Sequence, residues 1–357
     1  MPVLVVGEAL IDVVVRPDAA TAEHVGGSPA NVAIGISRLG HPAVLATSFG
    51  RDPRGDAIRE TLARSGVGLT PCSDAADRTS TATARIGDDG AATYDFDLTW
   101  EVAGSVRAPD GGHVHTGSIA AVLEPGAGAV RDLVQAARQN ATISYDPNVR
   151  PSLMGSPEEA LGAINAIIGL SDVVKASDED CAWLRPAHTP GKVRALGEVG
   201  DDEGELGEVA GETAKLDKGA ELGEGVLGEQ GDEEASLGEV AALSEMTAEW
   251  VASGASLAVI TRGGDGVFVR KGAETAVLPA ATVTVVDTVG AGDSFMSGLV
   301  SGLLDAGLLG GPQARVRLVA ASLEDVLPAV RRALACAAIT VTRAGANPPT
   351  RDELPAD

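Results

Sequence analysis

The sequence predicts an α/β protein, with a mainly parallel central sheet and helices on both faces. Three observations carry this expectation. Short apolar runs alternate with helical patterns along most of the 357 residues. One early stretch switches to period-two alternation, the mark of a separate antiparallel element. The composition, 44% hydrophobic but 3% aromatic, supports a globular core in which Ala, Gly and Val supply the apolar bulk. The length suits one large α/β domain or two smaller ones.

The opening "MPVLVVGEALIDVVV" reads as a first strand. It carries Glu8 and Asp12 and has no basic n-region, so a signal peptide is not expected. Further strands are expected at "AVLATSFG", "GHVHTGS", "ATISYDP", "SDVVKAS" and "LAVITRGG". Helical patterns follow most of them, for example at Ala30–Leu39, Arg54–Ser65 and Ala127–Gln139. The exception is "TSTATARIGDDGAATYDFDLTW", a hairpin signal turning at Asp89-Gly90. It puts Tyr94, Phe96 and Leu98 on one face and Thr93, Asp95 and Asp97 on the other. Such a hairpin suits a lid, a dimer surface or a plain sheet edge.

The formal charge of −24 argues against a nucleic-acid or anionic-membrane surface. Much of it lies between Leu196 and Glu249, where 17 acidic residues face two lysines. A Leu-Gly-Glu unit recurs there, starting at Leu196, Leu206, Leu222, Leu227 and Leu237. Frequent glycine and mutual repulsion make residues 195–235 a solvated, low-complexity insertion, read as a tolerated loop before an acidic partner arm. Ser236 and Glu239 then have the spacing of a capping box for a helix ending at Ala252. Cys72, Cys181 and Cys336 show no metal or disulfide spacing, which fits a reducing cytoplasm. No run of about 18 apolar residues suggests a membrane span. The five histidines show no zinc spacing; His113 and His115 alternate on an expected strand and read as buried or edge residues.

The stretch "VVDTVGAGDSFMSGLVSGLL" runs an expected apolar strand through a glycine turn into an amphipathic helix. Amides in the first helical turn have no intrahelical partner, and the dipole adds positive charge there. Glycines allow a polyanion to approach, so Gly290, Ala291 and Gly292 can form an anion hole. A carboxylate beside that hole, Asp293, makes sense as a base that deprotonates a hydroxyl attacking phosphorus. The plainer reading is an Asp near a helix N-cap. P-loop and protein-kinase motifs are absent, and no dinucleotide fingerprint follows the first strand.

Four motifs together, "GEALIDVV", "GGSPANVAIGISRLG", "DPNVRPSL" and "DTVGAGDSF", resemble the ribokinase-like, or PfkB, family of carbohydrate kinases, particularly its bacterial fructokinase branch. The resemblance covers the chain except about Arg194–Ala235. It implies a single three-layer α/β/α ribokinase-like domain over residues 1–357, with a small β lid from about 12–25 and 79–100. It also implies ATP, Mg2+ and a monovalent cation such as K+, a small sugar substrate, and a homodimer through the lid. Asp12, Gly26, Gly27 and Asn31 would then bind sugar, although Asn31 alone also reads as a solvent-facing helix residue. Arg150 would hold substrate or phosphate, or else form a surface salt bridge. Thr261, Gly263, Gly264 and Gly266 would wrap nucleotide phosphates and ribose, unless they form an ordinary hairpin turn. Ser177 and Asp180 stand where the family usually has Asn and Glu. Asp180 would act through magnesium-bound water, or simply start an exposed helix. Asp287, with carbonyls near Arg343 and Gly345, resembles the monovalent-cation site. Leu334 stands near the expected adenine position.

These expectations describe an ATP- and Mg2+-dependent sugar kinase, with Asp293 as base and fructose as the leading acceptor. The alternatives are 2-keto-3-deoxygluconate, ribose or a nucleoside as acceptor, and, in another class, a catalytically silent sugar-binding protein.

Overall fold

A computed structural model describes residues 2–16, 20–87, 92–102, 106–185 and 230–355. The expected turn at Asp89-Gly90, His188 and most of the acidic segment fall outside these residues.

The central sheet takes strands from most of the described chain. They are β1 (Val3–Val6), β4 (Ala43–Ala46), β5 (Gly68–Leu69), β8 (His113–Gly117), β9 (Thr142–Asp146), β10 (Val173–Ser177), β11 (Leu257–Thr261), β12 (Val267–Lys271) and β13 (Glu274–Leu278). Their order is β13-β12-β11-β10-β9-β8-β1-β4-β5. Every pair from β5 to β11 is parallel, while β12 and β13 add an antiparallel edge. Parallel strands are covered on both faces, which is why they read as unbroken apolar runs. Val3 and Val5 enter one core cluster, and Leu4 and Val6 enter the other. The first cluster contains residues of α1 (Ser28–Arg38), α2 (Pro53–Arg64), α8 (Ala291–Asp305), α9 (Pro312–Ala320) and α10 (Leu323–Val341). The second contains residues of α3 (Gly126–Ala137), α5 (Pro157–Ile168), α6 (Asp178–Leu184) and α7 (Gln230–Ala252).

A second sheet, in the order β3-β2-β6-β7, contains β2 (Leu10–Val15), β3 (Ala22–Gly26), β6 (Thr81–Ile86) and β7 (Ala92–Asp97). β6 and β7 pair antiparallel from Thr81↔Asp97 to Ile86↔Ala92, as the alternation predicts. Tyr94 and Phe96 stack on one face with centroids 6.1 Å apart. Just beyond β7, the buried Trp100 donates its indole N–H to the carbonyl of Ala120, which ties this segment to the main body.

Three expectations need correction. The opening is two strands in different sheets, because Gly7, Glu8 and Ala9 carry the chain from β1 to β2. No strand precedes Gly290: Val283, Val285, Val286 and Val289 are exposed, and the amides of Val286 and Asp287 donate to the Val341 carbonyl. Strand propensity has no effect where no sheet edge is available to pair with. The helix expected to open at Ser236 starts instead at Gln230, inside the presumed 195–235 insertion, so Ser236 is not its cap. Its Glu, Ala and Leu residues are good helix formers, and they outweigh the two glycines, Gly231 and Gly238.

Polar groups also lie within the sheet. His113 contacts Thr142 Oγ1 at 2.9 Å and Ser144 Oγ at 2.8 Å, and His115 contacts Ser144 Oγ at 2.9 Å. Burial pushes both imidazoles down to about 3, so both are neutral at pH 7. At the N-terminal edge, Asp172 receives Arg315 Nε at 2.6 Å and Nη2 at 3.1 Å, while Arg315 Nη1 donates to the Arg138 carbonyl at 2.6 Å. Among the described residues no helix is long and apolar enough to cross a membrane, and all three cysteines are free. Arg315→Met removes the two guanidinium hydrogen bonds to the Asp172 carboxylate, whose side chain is 2% exposed, and leaves it the Ile143 amide and Arg138 at 3.8 Å. We expect a loss of about 3 kcal/mol of stability, measurable as a lower urea midpoint.

Candidate functional site

Two helices point their N-termini at one carboxylate. Gly290, at φ 75°, turns the chain into α8, and Asp293 sits in the first turn with 8% exposure. Gly27, at φ 102°, turns the chain into α1. From the first turn of α1, Ser28 Oγ donates to Asp293 Oδ1 at 2.6 Å, and Asn31 Nδ2 donates to Oδ2 at 2.8 Å. Asp293 is therefore an acceptor on both oxygens, and both dipoles place positive potential at it. Ala291 and Gly292 open α8 beside it; the Ala291 amide donates to the Thr288 carbonyl at 3.2 Å, and the first helical amides lack intrahelical partners.

The small sheet and the sheet crossover bring further groups to this point. Asp12 lies half-buried on β2, opposite His24 of β3. A Cβ on Gly26 would lie 2.0 Å from Asp12 Oδ2, so glycine is required for the carboxylate to lie there. Burial raises the Asp12 carboxyl, against the opposing charges of Arg150 and His24. Glu8 is buried in the turn between β1 and β2, and its Oε2 has no hydrogen-bond partner. Burial pushes its carboxyl up to about 7, opposed by its own backbone amide, the Ser118 hydroxyl and the charge of Arg150. Arg150 precedes the short α4 (Pro151–Met154) and donates to Asn148 Oδ1 at 2.8 Å and the Val149 carbonyl at 3.0 Å. Ser118 and Asn148 have φ of 55° and 38°, an uncommon backbone conformation for side-chain-bearing residues.

The residues expected at the nucleotide line the ends of β10 and β11. Ser177 caps α6 and accepts the Asp180 amide at 3.0 Å. Asp180 Oδ1 accepts the Val149 amide at 2.7 Å, and Oδ2 accepts the Ser177 amide at 2.8 Å. The expected exposed helix start is thus a buried capping box that ties α6 to the loop after β9. Thr261 is in register with Ser177. The glycine run is a hairpin turn between β11 and β12, and Gly263 and Gly264 face open space. Gly266 instead packs on the Leu278 carbonyl, 2.0 Å from where a Cβ would lie. Asp287 accepts the Val289 amide at 3.0 Å and the Gly345 amide at 2.8 Å. These bonds hold its carboxyl below the usual range, and they engage the amide of Gly345 rather than its carbonyl. Leu334 is partly buried against the first core cluster.

Sequence reasoning did not single out Glu8, Ser28, Asp146 or Lys175, although each lies inside a quoted motif. Their signal is in three dimensions: burial without a full set of partners, or a bond to Asp293. The raised Glu8 carboxyl has a definite effect on stability. The native state keeps its proton to a higher pH than the unfolded chain, so stability is full below about 4.5 and falls as pH rises towards about 7. Glu8→Gln removes that titration. The variant should gain on the wild type by about 3 kcal/mol between pH 4.5 and 8, read from urea unfolding of both proteins across that range.

Comparison with known proteins bears on the family and the fold. The family model described as pfkB family carbohydrate kinase matches residues 2–205 and 224–353. A fructokinase of Rhizobium leguminosarum bv. trifolii is 28% identical, over 84% of this chain and 79% of its own length. A double-mutant fructokinase from Vibrio cholerae O395, bound to fructose, ADP and a potassium ion, superposes with a TM-score of 0.64 at 22% identity, covering 97% of this chain and 93% of its own. Aminoimidazole riboside kinase from Salmonella enterica, complexed with aminoimidazole riboside and an ATP analogue, gives 0.66 at 20%, covering 97% and 95%. The four motifs, the α/β/α layering with its small second sheet and the match over most of the chain lead to one assignment: this protein belongs to the pfkB family of carbohydrate kinases, phosphotransferases that use an alcohol group as acceptor.

Proposed function

We propose that this kinase transfers the γ-phosphoryl group of ATP to a primary hydroxyl of fructose. The observation that carries the reading is Asp293, held by Ser28 and Asn31 at the mouth of α8 beside the amides of the Gly290–Gly292 turn. In this reading the sugar hydroxyl gives its proton to Asp293 as its oxygen attacks phosphorus, and the bond to the ADP oxygen breaks. The turn amides offset charge on the transferring group. Asp12, Gly26, Gly27, Asn31 and Arg150 hold the sugar, and Thr261, Gly263, Gly264 and Ser177 flank the nucleotide. Similarity to a curated fructokinase favours fructose over ribose, 2-keto-3-deoxygluconate or a nucleoside.

Among the described residues no group of three or more His, Cys, Asp or Glu is placed to hold a metal ion. A divalent cation fits here only as the nucleotide's own Mg2+. Asp180 would reach it through water, because each of its oxygens already accepts an amide. Bound there, Mg2+ supplies charge neutralisation at the phosphates. Asp287 fixes the loops that would offer carbonyls to a monovalent cation. The small sheet acts as a lid that excludes water, and its Tyr94–Phe96 face, with Tyr94 63% exposed, is the surface for a homodimer.

Two measurements test these assignments. A coupled ADP-release assay over a panel of fructose, ribose, 2-keto-3-deoxygluconate and nucleosides should give the highest kcat/KM with fructose. A strong preference for another acceptor overturns the substrate. Asp293→Asn should keep the fold and lose roughly 10²–10⁴-fold in kcat; near-normal turnover would remove Asp293 as the base.

A further inference from the structure

Lys175 and Asp146 form a buried ion pair directly beneath the glycine turn. β9 and β10 run parallel with Val173 beside Ser144 and Val174 beside Tyr145, so the next position sets Lys175 alongside Asp146. Lys175 Nζ lies 2.9 Å from Asp146 Oδ2, and the side chains are 4% and 1% exposed. Asp146 Oδ1 has no hydrogen-bond partner. Packing stability alone is a weak reason for such a pair. Desolvating two charges offsets most of their attraction, and apolar replacements of similar volume are often as stable.

The position of the ammonium supplies a better reason. A Cβ built on Gly292 would lie 3.0 Å from Lys175 Nζ, so the ammonium backs onto the turn at the one residue whose missing side chain makes room for it. Burial works against the lysine's charge, but Asp146, Asp180 and Asp293 together outweigh it and hold the group protonated. Without this fixed cation, the turn amides would have to hold a polyphosphate against the charge of those three carboxylates.

We infer that Lys175 is a positioning residue of the phosphoryl site: pinned by Asp146, its ammonium keeps positive charge behind the Gly290–Gly292 amides, so that the turn holds a transferring phosphoryl group beside Asp293. This rests on the proposed role of that turn. Two consequences follow in the sequence. Position 292 is glycine because a side chain would displace the cation. Asp146 serves as an anchor whose one oxygen orients the lysine.

The test separates this from a lysine that only neutralises Asp146. The double variant Lys175→Met/Asp146→Asn removes both charges and keeps the interior neutral. We expect it to fold, with kcat at least 100-fold below wild type and sugar KM within about threefold. If the double variant turns over within about threefold of wild type while Asp293→Asn is inactive, the inference falls and the base stands. If both variants retain turnover, the reading of the site itself falls. Should the double variant not fold, the unsubstituted protein still decides. With its five lysines nitrogen-15 labelled, the Lys175 ε-ammonium resonance should shift when ADP, Mg2+ and aluminium fluoride are added, and an unmoved resonance overturns the inference.

Discussion

The structure depends on one constraint: a single carboxylate must be reached by the N-termini of two helices from opposite ends of the chain. Asp293 belongs to α8, and its partners Ser28 and Asn31 belong to α1, more than 260 residues earlier. For the two helix mouths to meet, α1 and α8 must pack on the same face of the central sheet, where both contribute to one core cluster. The positive φ at Gly27 and at Gly290 lets each helix start at the required angle. The chain enters α1 from the small sheet and α8 from the irregular segment before Gly290, and Asp293 comes within electrostatic reach of Asp146 at the end of β9, the sheet edge where open α/β sheets place ligands.

Much of this was legible in the sequence because parallel strands have a simple signature. The largely apolar runs "VLVV" and "LAVIT" became β1 and β11, and "TISYD" became β9 with Ile143 and Tyr145 on one face and Thr142, Ser144 and Asp146 on the other. The glycine turn was legible too, since two glycines and an aspartate at a helix start have few physical readings. The two strand failures concern pairing rather than propensity. Val285 and Val286 have strand propensity, but pairing needs an open edge, and propensity carries no information about edges. Likewise "VLVVGEALIDVVV" gives no sign that its two halves enter different sheets.

The site shows the same divide. Asp12 stood out because a carboxylate interrupting an apolar run calls for explanation. Lys175 and Asp146 did not, since a lysine in a strand and an aspartate at a strand end are ordinary until burial and register place them together. Asp180 shows the reverse. Its motif position drew attention to a cation, whereas its two oxygens are engaged by the amides of Val149 and Ser177. Sequence identifies which residue types are present, but the number of lone pairs left for a ligand is a property of the folded chain.

The route from β3 to α1 has one more consequence. β3 ends at Gly26 and α1 begins at Ser28, so a single residue joins the small sheet to the helix that carries both partners of the acid. Rocking that sheet over a guest would twist the peptide at Gly27 and with it the hydroxyl resting on Asp293. Any movement of the small sheet would thus reach the Asp293 carboxylate through one peptide unit and the Ser28 hydroxyl.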